Sequence, residues 1–271
     1  SKLVRKNMSY KIISKRQLNK LTFAIQIEAK EIVTNAKAGH FVMIRVHQQG
    51  ERIPLTIADA HGEYITVIFK VVGDTTSRLS QLEVGDDLYE IIGPLGNPFP
   101  MPKIQSLCVI AGGVGCAIGY PMAKQTMQEG IDVTFIAGFK DESEIFYEKE
   151  FRQVSNQCII TVEHKSENYN QGNVVDALNH VLLTKKIDAL FVIGSLPMMK
   201  AVTKIGEQHQ ILTVVSLNPI MVDGIGMCGG CRVNVGGQAH FACVDGPEFD
   251  GRLVDFDSLI ARNQAYDCKW R

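Results

Sequence analysis

The 271-residue sequence predicts an all-β N-terminal domain, an α/β domain on a parallel sheet and a small C-terminal cysteine-rich module. Three observations carry that prediction. Up to about residue 100 the chain consists of short alternating or β-branched runs punctuated by Gly, Asn and Asp, the pattern of an antiparallel β-barrel. After Pro100-Met101-Pro102, continuous apolar runs alternate with helix-like segments, as in a parallel sheet covered on both faces. From about Pro219 onward glycine and cysteine dominate. The boundaries are placed at 1–102, 103–218 and 219–271.

Composition supports an ordinary globular protein, with 45% hydrophobic and 21% charged residues. A net charge of −1 gives no ground for a nucleic-acid or membrane-surface partner. No run approaches the ~18 apolar residues of a membrane-spanning helix. Seven cysteines, an odd number in no paired pattern, suit a reducing, cytoplasmic compartment. Ser1–Asn7 is short and basic with no apolar stretch behind it, unlike a secretory leader. Met8 is a candidate natural start. Cys108, Cys116 and Cys158 read as small buried hydrophobes, and Cys268 as an incidental tail residue.

In the barrel, Leu21–Glu28, Gly39–Val46, Tyr64–Val72 and Asp87–Ile92 read as strands, with turns at His61-Gly62 and Val84-Gly85-Asp86. Arg52-Ile-Pro54-Leu55-Thr56 reads as an extended turn fixed by the proline. Its arginine fork can hold a pyrophosphate, and the Thr56 hydroxyl can reach an acceptor on a bound ring. The same residues also suit a plain surface turn. Phe69-Lys70-Val71-Val72-Gly73-Asp74-Thr75-Thr76 reads as a strand entering a helix that starts at Thr75 or Thr76. Exposed N–H groups and hydroxyls there favour phosphate, although an ordinary capped helix looks the same. Two such elements on one barrel fit a flavin dinucleotide.

The α/β layer begins with the apolar run Ser106–Ala111 and a helix over Ala117–Glu129. Strands follow at Val133–Ala137, Cys158–Val162, Ala189–Ile193 and Ile211–Ser216, with helices at Glu144–Val154, Asn173–Leu183 and Pro197–Glu207. Gly112-Gly113-Val114-Gly115 joins the first strand to the first helix, where glycine lets the backbone approach a pyrophosphate. It departs from the strict Gly-x-Gly-x-x-Gly pattern, and a turn used for tight packing is the alternative. Gly138 with Lys140, and Gly194 with Pro197, Met198 and Met199, follow later strands. Ligands of open α/β sheets bind at these carboxyl ends.

The third module holds Asp223, Cys228, Cys231 and Cys243 among glycines, three of the seven cysteines within sixteen residues. Thiolates converging on one point, with small residues between them, suit an iron–sulfur cluster. A zinc site is a second reading, with His240 as a weak fourth ligand. A redox dithiol is a third, disfavoured because Arg232-Val-Asn-Val-Gly-Gly after Cys231 reads as a strand and turn rather than a helix.

In this order the motifs Arg52-x-Pro-x-Thr56, Gly73-x-Thr75-Thr76, Gly112-Gly113-Val114-Gly115 and Gly194-x-x-Pro197-Met198-Met199 resemble the ferredoxin–NADP reductase superfamily. With the cysteine-rich tail, the chain resembles two of its members from Met8 onward. One is the electron-transfer subunit of dihydroorotate dehydrogenase. The other, more similar, is the small subunit of NADH-dependent reduced ferredoxin:NADP oxidoreductase, also described as the sulfide dehydrogenase β subunit. The first has cysteine at the leading ligand position. The second resembles this chain in placing an aspartate there, here Asp223, in an Asp/Cys3 set. Val244-Asp245-Gly246-Pro247-Glu248-Phe249-Asp250-Gly251 resembles it too.

The resemblance implies FAD on the barrel, at Arg52, Pro54, Leu55, Thr56, Phe69, Lys70, Val71, Gly73, Thr75 and Thr76, with Thr56 near the flavin N5. It implies NAD(H) at Gly112, Gly113, Val114, Gly115, Gly138, Lys140, Gly194, Pro197 and Met198. It implies a [2Fe–2S] cluster at Asp223, Cys228, Cys231 and Cys243. It further implies a larger partner subunit with its own flavin and [4Fe–4S] clusters, coupling NADH, NADP+ and ferredoxin by bifurcation. One departure concerns Thr161–Glu167, which stands where relatives carry an Asp-Asp-Gly-Ser-type segment. Glu163 there favours a ribose hydroxyl, whereas His164 and Lys165 favour a 2′-phosphate. The expectation of NADH rests on the resemblance.

Overall fold

A computed structural model describes residues 10–267, so the expectations for Ser1–Asn7, Met8 and Cys268 lie outside the described residues. The first sheet contains β1 (Tyr10–Gln17), β2 (Thr22–Glu28), β3 (Phe41–Arg45), β4 (Arg52–His61), β5 (Tyr64–Lys70), β6 (Asp87–Leu88) and β7 (Glu90–Leu95), with helices α1 (Lys30–Val33) and α2 (Asp74–Gln81) between strands. The strand order is β6-β1-β2-β5-β4-β3-β7, and every pairing is antiparallel. The edge strands β6 and β7 are separated in the chain only by Tyr89, so the two edges meet and the sheet curls into a near-closed barrel. Ile12, Ile25, Ile27, Ile65, Val67 and Phe69 alternate inward and fill it.

Two local expectations change. β1 went unread, although its Lys-Ile-Ile-Ser-Lys-Arg run is partly alternating. Arg52–Thr56 is not a turn but the start of β4, in register with β3 through Met43↔Pro54. Proline is tolerated there because β4 has a ladder neighbour on one side only, as at a sheet edge. β4 and β5 pair from His61↔Tyr64 as far as Ile57↔Val67 and no further.

The second sheet contains β8 (Ser106–Gly112), β9 (Asp132–Phe139), β10 (Gln157–Val162), β11 (Asn170–Gln171), β12 (Ala189–Ile193) and β13 (Leu212–Ser216), joined by α3 (Cys116–Gln128), α4 (Glu148–Gln153), α5 (Val174–Thr184) and α6 (Leu196–Gln208). These six strands run parallel in the order β11-β10-β9-β8-β12-β13. Their near-continuous apolar character follows from burial on both faces. Cys108 and Ile110 of β8 face the core shared with α5 and α6, while Leu107, Val109 and Ala111 face the core shared with α3 and α4. The helix expected over Glu144–Val154 is interrupted. A short 3-10 turn ends at Glu144, Tyr147 takes a left-handed conformation (φ 54), and α4 starts only at Glu148.

The tail adds the hairpin β14 (Arg232–Val235) and β15 (Gln238–Phe241), the strand β16 (Glu248–Asp250) and α7 (Phe256–Asp267). β16 pairs antiparallel with β13 and extends the second sheet. Cys231, Val233, Cys243 and Phe249 share a core with α6 and with Phe41 and Met43 of the barrel. Three ion pairs also tie the barrel to the α/β layer: Arg16–Glu150 (2.8 Å), Asp59–Lys124 (2.8 Å) and Lys70–Glu144 (3.1 Å).

Glu248 of β16 is buried where barrel, linker and tail meet. Its Oε2 accepts from Phe99 N–H (2.7 Å), and its Oε1 has no partner. A Cβ on Gly39 would lie 2.5 Å from that Oε1. Burial pushes the Glu248 carboxyl up to about 7, since the charged form is costly away from water.

Candidate functional site

The barrel opening lies between β4 and β5. Beyond Ile57↔Val67 the two strands part, yet β4 stays paired with β3 as far as Arg52 and β5 with β2 as far as Lys70. The gap is bordered by the residues expected to hold a dinucleotide: Arg52, Pro54, Leu55 and Thr56 on one side, Phe69, Lys70 and Val71 on the other. The Phe69 ring points inward and stacks on Phe23 (5.9 Å), so it is the backbone of Phe69 that borders the gap. Gly73 caps α2, which begins at Asp74, one residue earlier than expected. The Thr76 hydroxyl accepts from the N–H groups of Val72 and Gly73 (3.0 and 3.1 Å), so it fixes the turn, while Thr75 is half-exposed. Arg52 Nε donates to Glu90 Oε2 (2.7 Å), and this bond, with Asp223 also nearby, pushes the guanidinium up. An opening in the sheet beside a helix start with exposed backbone donors fits an elongated anionic cofactor such as FAD.

The nucleotide cleft lies at the carboxyl ends of β8, β9, β10 and β12. It encloses about 550 Å³, and of the expected residues it is lined by Gly112, Gly113, Gly138, Lys140 and Met198. The strand order reverses between β8 and β12, the switch point where open α/β sheets bind ligands. Space is short on this wall, most strictly at Gly138. A Cβ on Gly138 would sit 2.4 Å from Val174 Cγ1, and one on Gly194 would sit 2.5 Å from Met198 Cε. Gly115 packs against Ile193, Val114 is exposed at the turn, and Pro197 is exposed in the first turn of α6.

Sequence reasoning missed several lining residues. Thr161 is buried with its hydroxyl unpartnered, an atom that a nucleotide hydroxyl or phosphate would satisfy. Asn173 caps α5, accepting from Val175 N–H (2.8 Å), and a capping residue before an apolar run was the available signal. Glu144 carried no signal. It reaches the cleft from the loop before α4 and pairs there with Lys70, which joins the cleft to the barrel opening. Glu163, expected from the sequence at a ribose hydroxyl, lines the same wall.

The cysteine loop lies against the barrel. A Cβ on Gly224 would meet Met43 Cγ at 2.5 Å and Leu95 Cδ1 at 3.1 Å. Cys231 and Cys243 are buried, with sulfurs 3.2 Å apart. Cys228 is exposed on the turn, and its sulfur accepts from Gly230 N–H (3.4 Å). Cys231 Sγ likewise accepts from Cys243 N–H (3.4 Å). Asp223 accepts from Ile225 N–H (2.9 Å) and Cys228 N–H (2.6 Å), and these bonds hold its carboxylate below the ordinary range. Burial, reinforced by Cys231, pushes the Cys243 thiol up to about 12.

Among the described residues, no group of three His, Cys, Asp or Glu is gathered tightly enough to hold a metal ion. The donor chemistry nonetheless fits an iron–sulfur group: a thiol pair, a third thiol on a glycine-jointed turn, and backbone N–H groups aimed at sulfur. His240 faces Asp245 through Nδ1 at 3.6 Å. Cys231 leads into a strand, not a helix, against a thioredoxin-like dithiol. Cys108 and Cys116 are fully buried, and burial pushes the Cys108 thiol up to about 12.

A barrel and a parallel-sheet domain facing each other across Lys70–Glu144 make an oxidoreductase of the ferredoxin–NADP reductase fold. The family described as the oxidoreductase NAD-binding domain matches residues 109–204, and the iron–sulfur cluster binding domain of dihydroorotate dehydrogenase B matches residues 218–255. The chain is 39% identical to a Thermotoga maritima protein named dihydroorotate dehydrogenase B electron transfer subunit homolog, over 94% of this chain and 90% of that one. It is 32% identical to a Geobacillus dihydroorotate dehydrogenase B electron transfer subunit, over 78% and 84%. The chain belongs to the family of dihydroorotate dehydrogenase B electron transfer subunits and their homologues. Among solved structures, it is similar to one from work on flavin-based electron bifurcation by the NADH-dependent reduced ferredoxin–NADP oxidoreductase, with 38% identity, a TM-score of 0.88 and coverage of 94% and 92%. An Amycolatopsis cytochrome P450 reductase, 17% identical with a TM-score of 0.65 over 75% and 66%, shares the fold.

Proposed function

We infer that this chain is the nicotinamide-dependent flavin and [2Fe–2S] subunit of an electron-bifurcating NADH/ferredoxin:NADP oxidoreductase. The observation that carries the reading is the Lys70–Glu144 contact, which sets the barrel opening against the nucleotide cleft while Asp223 lies near Arg52 of the same barrel. Bound here, FAD would supply the chemistry that links two-electron hydride transfer from nicotinamide to one-electron transfer, and the cluster would supply the one-electron carrier. Arg52, Thr75 and the N-terminal amides of α2 would hold the FAD pyrophosphate, and Thr56 would sit by the flavin N5. Gly112, Gly113, Gly138, Lys140, Thr161 and Met198 would hold NAD(H), and their role is placement rather than acid–base chemistry.

Asp223, Cys228, Cys231 and Cys243 would ligate the cluster. Each Asp223 oxygen retains a lone pair beyond the amide it accepts. Ile225 and Met227 are exposed on this loop (50% and 82%), which supports a partner subunit covering it. The reading places the complex in a reducing, cytoplasmic compartment, with a larger flavin and [4Fe–4S] partner and ferredoxin as a further redox partner. A second reading, the electron-transfer subunit of a dihydroorotate dehydrogenase, is favoured by the names of several relatives.

Anaerobic purification tests both. The expected product shows flavin and iron–sulfur absorption bleached by NADH, contains iron and acid-labile sulfide, and co-purifies with a glutamate-synthase-like flavoprotein. A dihydroorotate-oxidising partner would select the second reading, and a colourless zinc protein would overturn both. Asp223→Cys is expected to keep the cluster with a shifted potential and EPR signal. An unchanged signal would remove Asp223 from the ligand set.

A further inference from the structure

We propose that Arg262 is a positioning residue that sets the backbone of the Cys228–Cys231 turn and, through it, the reduction potential of the cluster; this rests on the iron–sulfur reading above. Arg262 lies on α7, and its guanidinium spans the outer side of the turn. Its Nη2 donates to the carbonyls of Gly229 (3.4 Å) and Gly230 (3.0 Å), and its Nη1 donates to the carbonyl of Arg232 (3.2 Å).

The geometry of the trans peptide gives these bonds a consequence on the other side of the turn. In a trans peptide unit the C=O and N–H point in opposite directions. The Gly229 carbonyl and the Gly230 N–H belong to one such unit. With the carbonyl held outward by Arg262, the N–H turns inward, and it donates to Cys228 Sγ at 3.4 Å. Holding the Gly230 carbonyl outward turns the Cys231 N–H the same way. Two successive glycines carry no side chains that could lock these peptide planes, and Gly229 has a left-handed φ of +66. Within the turn the Gly229 carbonyl accepts from Arg232 N–H (3.3 Å), and α7 adds the outside fixation through Arg262, which holds the Gly230 carbonyl as well.

The guanidinium acts in two further ways. It polarises each peptide it binds, which strengthens the N–H facing sulfur, and it brings a permanently charged group to the backbone of the turn. Both favour the reduced, more negative cluster and raise its potential. A lysine would keep the charge but could not fork across two carbonyls.

The test uses the full chain as wild type, Arg262→Gln and Arg262→Lys, measuring iron and sulfide content, EPR-monitored redox titration, iron loss to a chelator and thermal unfolding. In Arg262→Gln the midpoint is expected to move negative, the EPR line shape to change and iron loss to accelerate. Arg262→Lys is expected to shift the same way by less. A potential and EPR signal matching wild type in both variants, with iron retained, would overturn the proposal. If Arg262→Gln does not accumulate folded, Arg262→Lys decides alone: a negative shift supports the role and an unchanged midpoint overturns it. Wild-type chain lacking iron and sulfide would sink the iron–sulfur reading itself, and the role of Arg262 with it.

Discussion

The nucleotide cleft and the cysteine loop both depend on glycine, for different physical reasons. In the cleft, Gly138 exists because the stiff Val174 side chain leaves no room for a Cβ, and the end of Met198 lies against Gly194. That wall is shaped by packing from α5 and α6. In the loop, Gly226 and Gly229 take left-handed conformations (φ +84 and +66), and the shape is held by hydrogen bonds that the Ile225 and Cys228 N–H groups donate to the Asp223 carboxylate. A packed wall resists deformation whether or not a ligand is bound. A hydrogen-bonded loop with one exposed thiol can still draw its donors together around a metal, and the coupling of metal binding to loop order follows from that difference.

The sharpest way to break the comparison is Cys243→Ser. The loop should lose its cluster, with iron and acid-labile sulfide falling by on the order of tenfold or more, while NADH binding to the cleft is retained. Loss of NADH binding in that variant would show that the two regions are not independent.

Glu248 lies where the tail strand meets the barrel, and its titration probes that seam. Its carboxyl loses a proton near 4.5 when unfolded and near 7 when folded. Unfolding therefore releases a proton between those values. Stability falls as pH rises from about 4.5 to 7 and is flat for this group above that, by on the order of 3 kcal/mol in total. Denaturant unfolding at several pH values should show the slope, and Glu248→Gln should flatten it. An unchanged slope in Glu248→Gln would assign the effect elsewhere.

Gly138→Val tests the packed wall. The added side chain meets Val174, so a cost of roughly 1–3 kcal/mol is expected, and NADH affinity measured by titration should weaken by roughly tenfold or more. The cluster's EPR signal should not change. The smallest effect is expected from Lys70→Ala, which removes the contact between barrel and cleft. Pairs this exposed contribute about 0–1 kcal/mol, so flavin reduction by NADH in stopped flow should slow by a few-fold at most, with both cofactors still bound.

Much of the architecture was legible because its signals are local. The apolar runs of β8, β9 and β12 are buried on both faces, and a strand buried in that way announces itself. The Cys228-x-x-Cys231 spacing and the glycines after β8 were equally readable. Arg52–Thr56 was misread as a turn because proline there is excused by the departure of β5, a tertiary circumstance. The break at Tyr147 was missed because the helical composition of Glu148–Val154 was extended back over Ile145-Phe146-Tyr147, and nothing local marks the left-handed residue.

The sequence by itself determined the order of the three modules, the residue types at each candidate site and the spacing of the thiols. These depend on periodicity and on chemistry carried by neighbouring residues. Only the tertiary structure decided that the barrel opens between β4 and β5, that Lys70 meets Glu144, that β16 returns to the second sheet, and that Arg262 holds the cysteine turn. The last three join residues far apart in the chain, and the first depends on β3 and β2 holding their neighbours β4 and β5 apart. Such contacts depend on how whole elements pack, and local sequence patterns do not encode that packing.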